Sequence, residues 1–265
     1  MGIKFSVIVV SYQAGDKLQK TIESIQCQTY NQYEIIIKDG GSSDGSIEGL
    51  AENSSLFIKV EEDTGIYDAM NQGVQYATGE YLLFLNCGDT FYSCDILEKV
   101  ALQIEENPNR GIYYGEIYQE QSQSVEVMPR KITGFTCFRH MPCHQGMYYE
   151  RSLLEEHIYN VDYRVRGDYD HFLWCYFRKG IRPFFLNQIL SSYEGGGYSE
   201  TLSNAERSRE EHQRITEEYI SPITLLCYRL CMVLTLSSVR KKMANNSRYA
   251  NLYNGVKKVL YRRSK

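Results

Sequence analysis

Apolar and polar positions alternate along the first half of the chain in a way that separates strands from helices. Phe5 to Val10 (FSVIVV) is nearly all apolar, as expected of a strand buried on both faces, and Asp16 to Cys27 carries Leu18, Ile22 and Ile25 at helical spacing. Tyr33 to Lys38 and Leu56 to Val60 read as further strands, with Tyr67 to Ala77 as a helix between the latter and the strand Tyr81 to Leu85. Leu97, Val100, Ala101 and Ile104 mark an amphipathic helix that ends before Pro108. Such alternation predicts an α/β fold, with a Rossmann-like, mostly parallel sheet flanked by helices. The run GGSSDGS after Asp39 predicts a turn feeding a helix start capped by Ser43 or Asp44.

The pattern is less regular from Gly111 to Tyr149, where strands are expected around a loop at Thr133 to His144. A helix is predicted from Asp168, where Phe172, Leu173, Tyr176 and Phe177 form an apolar face and Gly180 supplies the C-terminal stop. Two strands are predicted at Pro183 to Leu186 and Ile189 to Tyr193, then a charged helix at Glu206 to Tyr219. The apolar run after Pro222, ITLLCYRLCMVLTL, carries Arg229 near its middle and falls short of the about 20 apolar residues a bilayer crossing needs.

Composition changes this picture in one place. From Ile220 onward there are ten Lys and Arg and no Asp or Glu, whereas the preceding 219 residues hold 19 basic and 33 acidic side chains. A C-terminal helical, basic extension is therefore expected over 201–265, with the main domain at 1–200, and Arg240-Lys241-Lys242, Lys257-Lys258 and Arg262-Arg263 suit an anionic membrane surface. No nucleic acid is expected, because no recognised reading module accompanies the charge. The eight cysteines lack paired CxxC spacing and the chain starts at once with strand-like residues, which predicts free thiols in a cytoplasmic protein. Cys137, His140, Cys143 and His144 stand close together but match no common zinc module. The 23 tyrosines suit a sugar-binding cleft and equally a tyrosine-rich core.

Polar residues gather where strands end: Ser11-Tyr12, Asp39 and Asn86-Cys87-Gly88-Asp89. In open α/β sheets that edge binds ligands. Four segments in order, VIVVSY, KDGGSSDGS, EDTGIYDAMNQGVQYATGEYLLFLNCGD and RGDYDHFL, resemble family 2 glycosyltransferases, closely over Lys4 to Asp89 and less closely up to about Ser199. The resemblance implies a GT-A fold, with a nucleotide-sugar-binding half at 1–110 and an acceptor and catalytic half at 111–200. It also implies inverting transfer of a hexosyl or N-acetylhexosaminyl group from a UDP-sugar to a glycan or lipid-linked oligosaccharide in cell-surface polysaccharide biosynthesis, on the inner face of the cytoplasmic membrane.

Residue by residue, the resemblance assigns Val10, Ser11 and Tyr12 to the base pocket, Asp39 to the uracil imide, Asp68 to a ribose or sugar hydroxyl and Asn86 to a neutral contact. It assigns Asp89 to Mn²⁺ or Mg²⁺, although the family's DxD motif is here Asn86-Cys87-Gly88-Asp89 and retains one carboxylate. Asp168 falls on the catalytic base, with Asp170 as its substitute, and His144 and Gln145 on the acceptor side. Each position also admits a plain role: a strand-end cap at Ser11, an Asx turn at Asp39, first-turn helix stabilisation at Asp68 and Asp168, and a structural histidine at His144. Gly195-Gly196-Gly197, followed by Tyr198 and Ser199, reads as a flexible loop able to close over a ligand. Asp39, Asp89 and Asp168 are expected to converge on one cleft. A nucleotidyltransferase is disfavoured by the single glycine in SYQAGDKLQK, while a catalytically silent module with this fold stays open.

Overall fold

The computed structural model describes residues 2–50, 55–196 and 202–234. Four parallel strands, β1 (Phe5–Ser11), β2 (Tyr33–Asp39), β3 (Leu56–Val60) and β4 (Tyr81–Asn86), lie in the order β3-β2-β1-β4. Side chains alternate between the faces of such strands, and both faces are covered. Val7, Val9, Ile35, Ile37, Leu83 and Leu85 pack with α1 (Asp16–Gln26) and α3 (Ile96–Glu106). Ile8, Ile36, Leu82 and Phe84 pack on the other side with α2 (Ile66–Tyr76) and α6 (Gly167–Phe177). Helix α2 rides low on β1, since a Cβ at Gly73 would lie 2.6 Å from the Ile8 side chain. Parallel register sets Ser11 beside Asp39 and Val10 beside Asn86, so four predicted site residues share one edge.

The second half of the sheet is mixed. The strand β8 (Met147–Glu150) runs antiparallel between β4 and β6 (Ile112–Gln119), β6 pairs parallel with β9 (Phe184–Tyr193), and β5 (Thr90–Phe91) closes the far edge against β9. The short β7 (Ser124–Glu126) forms a hairpin with β6. The two strands predicted at 183–186 and 189–193 are one, with its register broken opposite Gly115 and Asn187 at φ 54°. Thr133 and Thr136 cap α4 (Gly134–Arg139) reciprocally, a short 3₁₀ turn at His144–Gly146 leads into β8, and α5 (Arg151–Glu156) follows it.

No helix follows GGSSDGS within residues 40–50. Gly41, Gly45 and Gly49 take φ values of 90°, 82° and 89°, which a right-handed helix does not accept. Asp44 instead accepts from the Gly15 N–H at 2.8 Å, so it serves the start of α1 from across the loop.

Helix α7 (Leu202–Tyr219) packs on α6 and buries Ile215 in the main core, so this part of the expected extension shares the body's interior. Its Glu211 is buried and accepts from the backbone N–H groups of Arg164, Val165 and Arg166 at 2.9, 3.0 and 2.9 Å. Helix α8 (Pro222–Leu234) rests on Phe135 and Phe138 through Tyr228. Its other face exposes Ile223, Leu226, Leu230 and Val233, and no helix among the described residues is long and apolar enough to cross a membrane. The three basic clusters lie outside the described residues.

Candidate active site

Two adjoining cavities open at the ends of β1 and β4, of about 780 and 430 Å³. The first is lined by Val10, Ser11, Tyr12, Asp68 and Asn86, and the ring of Tyr12 is 69% exposed. The second is lined by His144, Gln145, Asp168 and again Asn86. Tyr67, Ile66 and Arg164 also face both. The base-pocket, strand-end and acceptor-side candidates thus meet at Asn86, whereas Asp39, Asp89 and Asp170 line neither cavity.

Asp168 sits in the first turn of α6 with its side chain 18% exposed. His144 Nδ1 lies 3.3 Å from its Oδ2, and the Tyr67 hydroxyl lies 2.9 Å from its Oδ1 while also reaching the Val165 carbonyl at 2.8 Å. The far side of the histidine ring faces the Asn86 amide nitrogen at 3.2 Å. The ring thus bridges Asn86 and the carboxylate, with Nδ1 toward Asp168 and Nε2 toward Asn86. Burial raises the pKa of Asp168, but the hydrogen bond and charge of His144, the Tyr67 hydroxyl and the Arg166 charge outweigh it and hold the carboxyl below its usual range. Burial and the same carboxylate push the Tyr67 phenol well up, so Tyr67 remains a donor.

Asp39 is set back from both cavities. It is fully buried, its Oδ1 accepts from the N–H groups of Gly41 and Ser42 at 2.9 and 2.7 Å, and its Oδ2 accepts from the Ser42 hydroxyl at 2.6 Å. This is the Asx-turn role, so the side chain assigned to the uracil imide is engaged by its own loop. Asp68 lines the first cavity and also accepts from Thr64 N at 2.8 Å and Thr64 Oγ1 at 3.0 Å, so the helix-start role and an open cavity position coexist. Asp170 is two residues beyond Asp168 on a helix and points the other way, accepting from the Tyr219 hydroxyl at 3.1 Å. Burial pushes its carboxyl up to about 6. Its assignment as the substitute base is corrected accordingly: it does not reach the cleft.

Asp89, the expected metal ligand, is 3% exposed. Its Oδ2 accepts from Gln145 Nε2 at 2.8 Å and its Oδ1 from Glu194 N at 3.1 Å. Burial raises its pKa, and these two bonds oppose the rise. Among the described residues no group of three or more His, Cys, Asp and Glu is arranged to hold a metal ion. Asp89, the side chain that the resemblance assigns to Mn²⁺ or Mg²⁺, has both oxygens engaged here and ties the β9 terminus and Gln145 to β4.

Residues that sequence reasoning passed over complete the cleft. Lys38 is fully buried and donates to the Asp63 carboxylate at 3.0 Å and to the backbone oxygens of Asp39 and Glu61. It thereby holds the loop that leads into α2 and the first cavity. Glu211 holds the segment carrying Arg164 and Arg166. The alternation of apolar positions carried no signal for either. The triglycine loop is described only at Gly195 and Gly196, and 197–199 lie outside the described residues.

The Glycosyl transferase family 2 model matches residues 6–184. A PGL/p-HBAD biosynthesis glycosyltransferase of Mycobacterium bovis is 32% identical over 215 residues, covering 76% of this chain and 81% of its own. The uncharacterized glycosyltransferase YibD of Escherichia coli is 38% identical over 93 residues, 34% of this chain and 27% of its own. Among solved structures, the mannosyltransferase PcManGT of Pyrobaculum calidifontis in complex with GDP-Man and Mn²⁺ gives a TM-score of 0.62 at 16% identity, over 96% of this chain and 84% of the other. S. aureus TarS 1-349 in complex with UDP-GlcNAc gives 0.62 at 16%, over 82% and 72%. In the TarS 1-349 crystal structure without a named ligand the match spans 60% of the TarS fragment. Likeness at this level of identity shows the fold, which is GT-A.

Proposed function

The chain belongs to glycosyltransferase family 2, and from that premise we propose that it transfers a sugar, with inversion, from a UDP-sugar to a hydroxyl of a glycan or lipid-linked acceptor. One observation carries the reading: an ionised carboxylate, Asp168, lines the smaller cavity, held from either side by His144 and by Tyr67, which faces both cavities. The larger cavity, with the exposed Tyr12 ring at its mouth, suits the nucleotide, and the smaller suits the acceptor. In the displacement the acceptor oxygen forms a bond to the anomeric carbon as the bond to the diphosphate breaks. The hydroxyl proton passes to Asp168 and the nucleoside diphosphate leaves. A hexosyl or N-acetylhexosaminyl donor agrees with the UDP-GlcNAc and GDP-Man held by the two structural neighbours.

The lipid-linked acceptor has its own support. Helix α8 presents a row of apolar side chains to solvent, Ile223 at 78% and Val233 at 72% exposure, and leads directly into the nine Lys and Arg of residues 235–265. An apolar face followed by a basic run suits the anionic inner face of a cytoplasmic membrane, where lipid-linked acceptors sit. The name of the mycobacterial relative supports a biosynthetic role of the same kind.

Incubation with a panel of UDP-sugars and lipid-linked or free glycan acceptors tests the reading through release of UDP. Acceptor-dependent release with at least one pair is expected, and no release with any would leave the fold serving as a silent binding module.

His144 acts through Asp168 and is a positioning residue. Since it supplies two of the influences that lower the Asp168 pKa, its removal leaves burial to push the carboxyl up. The acid limb of kcat/KM is therefore expected to move to higher pH in His144→Ala, because a base must be ionised to accept the proton. An unmoved acid limb in that variant would contradict the assignment.

A further inference from the structure

The pyrophosphate of a nucleotide sugar carries about two negative charges, and more appear on it as the bond to the sugar breaks, so the cleft must supply positive charge there. The end of β4 is ill equipped to do this through a metal. Asn86 is neutral, and the Cys87 thiol is turned back onto the Val10 carbonyl at 3.3 Å. Gly88 has no side chain, and Asp89 is buried with each oxygen accepting a hydrogen bond. The space that a side chain at 88 would take is filled from another strand's end: a Cβ there would lie 2.5 Å from Glu194 Oε2. That carboxylate is already paired with Lys17 Nζ at 2.5 Å. A carboxylate met by an ammonium leaves little charge to draw a divalent ion.

Cations stand elsewhere in the cleft. Arg164 lines both cavities, and its guanidinium is anchored on the Thr64 carbonyl at the entrance to α2. Arg207, on α7, lines the larger cavity and makes no ion pair among the described residues. Two features place them together. Arg207 and Glu211 are four residues apart on α7 and share a face, and Glu211 accepts from the Arg164 N–H at 2.9 Å. The contact that anchors Arg164 thus also lays the Arg207 turn over the cavity. Of the two acidic side chains on the same wall, Asp63 is paired with the buried Lys38 at 3.0 Å, while Asp68 accepts from Thr64. Guanidinium groups suit pyrophosphate oxygens, which they meet with two parallel N–H bonds.

We infer that Arg164 and Arg207 hold the donor's diphosphate and that donor binding by this chain requires no divalent cation. The inference rests on the nucleotide-sugar reading above and adds to it the groups that meet the phosphates. Calorimetric titration of the full chain with UDP, and in parallel GDP, in excess EDTA and again in Mn²⁺, tests it. Affinities within about two-fold of each other are expected in the two buffers, and Arg207→Ala and Arg164→Met should each weaken UDP by about ten-fold or more, as loss of a charge-assisted phosphate contact does. Uridine, which has no phosphate, should bind the variants and the parent alike, which separates loss of a phosphate contact from loss of the fold. Nucleotide binding seen only with Mn²⁺, or an Arg207→Ala protein that binds UDP as the parent does, would overturn the inference while leaving the donor reading intact. Failure of both nucleotides to bind in either buffer would overturn both.

Discussion

Asp168→Asn is expected to slow sugar transfer by about 10³-fold, within the range that one positioned general base contributes, while UDP affinity stays within about three-fold of the parent. The amide keeps the size and the hydrogen-bond acceptor that Tyr67 uses, so the cleft should keep its shape. What it removes is the only function the substitution targets, the capacity to take a proton from the acceptor hydroxyl. Steady-state UDP release with the best donor gives the first quantity and calorimetry the second. A near-parental rate would remove the proposed base, and a parallel loss of UDP affinity would mean that Asp168 supports the donor cavity instead.

The second large effect is expected at a side chain that lines neither cavity. Glu211→Ala removes the carboxylate that meets three consecutive backbone N–H groups, those of Arg164, Val165 and Arg166, at a site that is 4% exposed. Buried donors left without partners cost about 1 to 3 kcal/mol each, with some relief from entering water, so a loss of about 3 to 5 kcal/mol of stability is expected. Urea unfolding measures it. Glu211→Gln keeps one acceptor oxygen and should lose about half as much. Because this segment carries Arg164 and leads directly into the first turn of α6, the alanine variant should also lose transfer activity in conditions where it remains folded. A stability change under about 1 kcal/mol would show that water replaces the carboxylate, against the burial described.

The three alternating units at the start of the chain were legible from apolar spacing. Strands β1 to β4 and helices α1 to α3 fall within one or two residues of the positions that Leu18, Ile22, Ile25 or the YLLFL run indicate. Their parallel order also places Ser11, Asp39 and Asn86 on one edge, because a sheet with both faces covered carries near-continuous apolar strands that end in polar residues. The later strands were harder to read. β8 has only four residues and β5 two, too few for a period to show, and β9 bends at Asn187 and so reads as two pieces. The turn at 40–50 misled in the opposite direction. Asp44 has the composition of a helix cap, yet its partner, Gly15, lies 29 residues away.

The sequence by itself determined that a parallel α/β unit would gather polar residues at one sheet edge, that Asp168 would open a helix, and that the last segment would be basic. Only the tertiary structure decided which carboxylates stay available. Asp89 is met by Gln145 and Glu194 from 56 and 105 residues away, Asp39 by its own turn, and Asp170 by Tyr219 from 49 residues away, while Asp168 keeps its place at the cleft between His144 and Tyr67. A buried carboxylate takes whatever N–H or O–H groups the fold brings within 3 Å or so of it, and those arrive from parts of the chain that no local spacing connects.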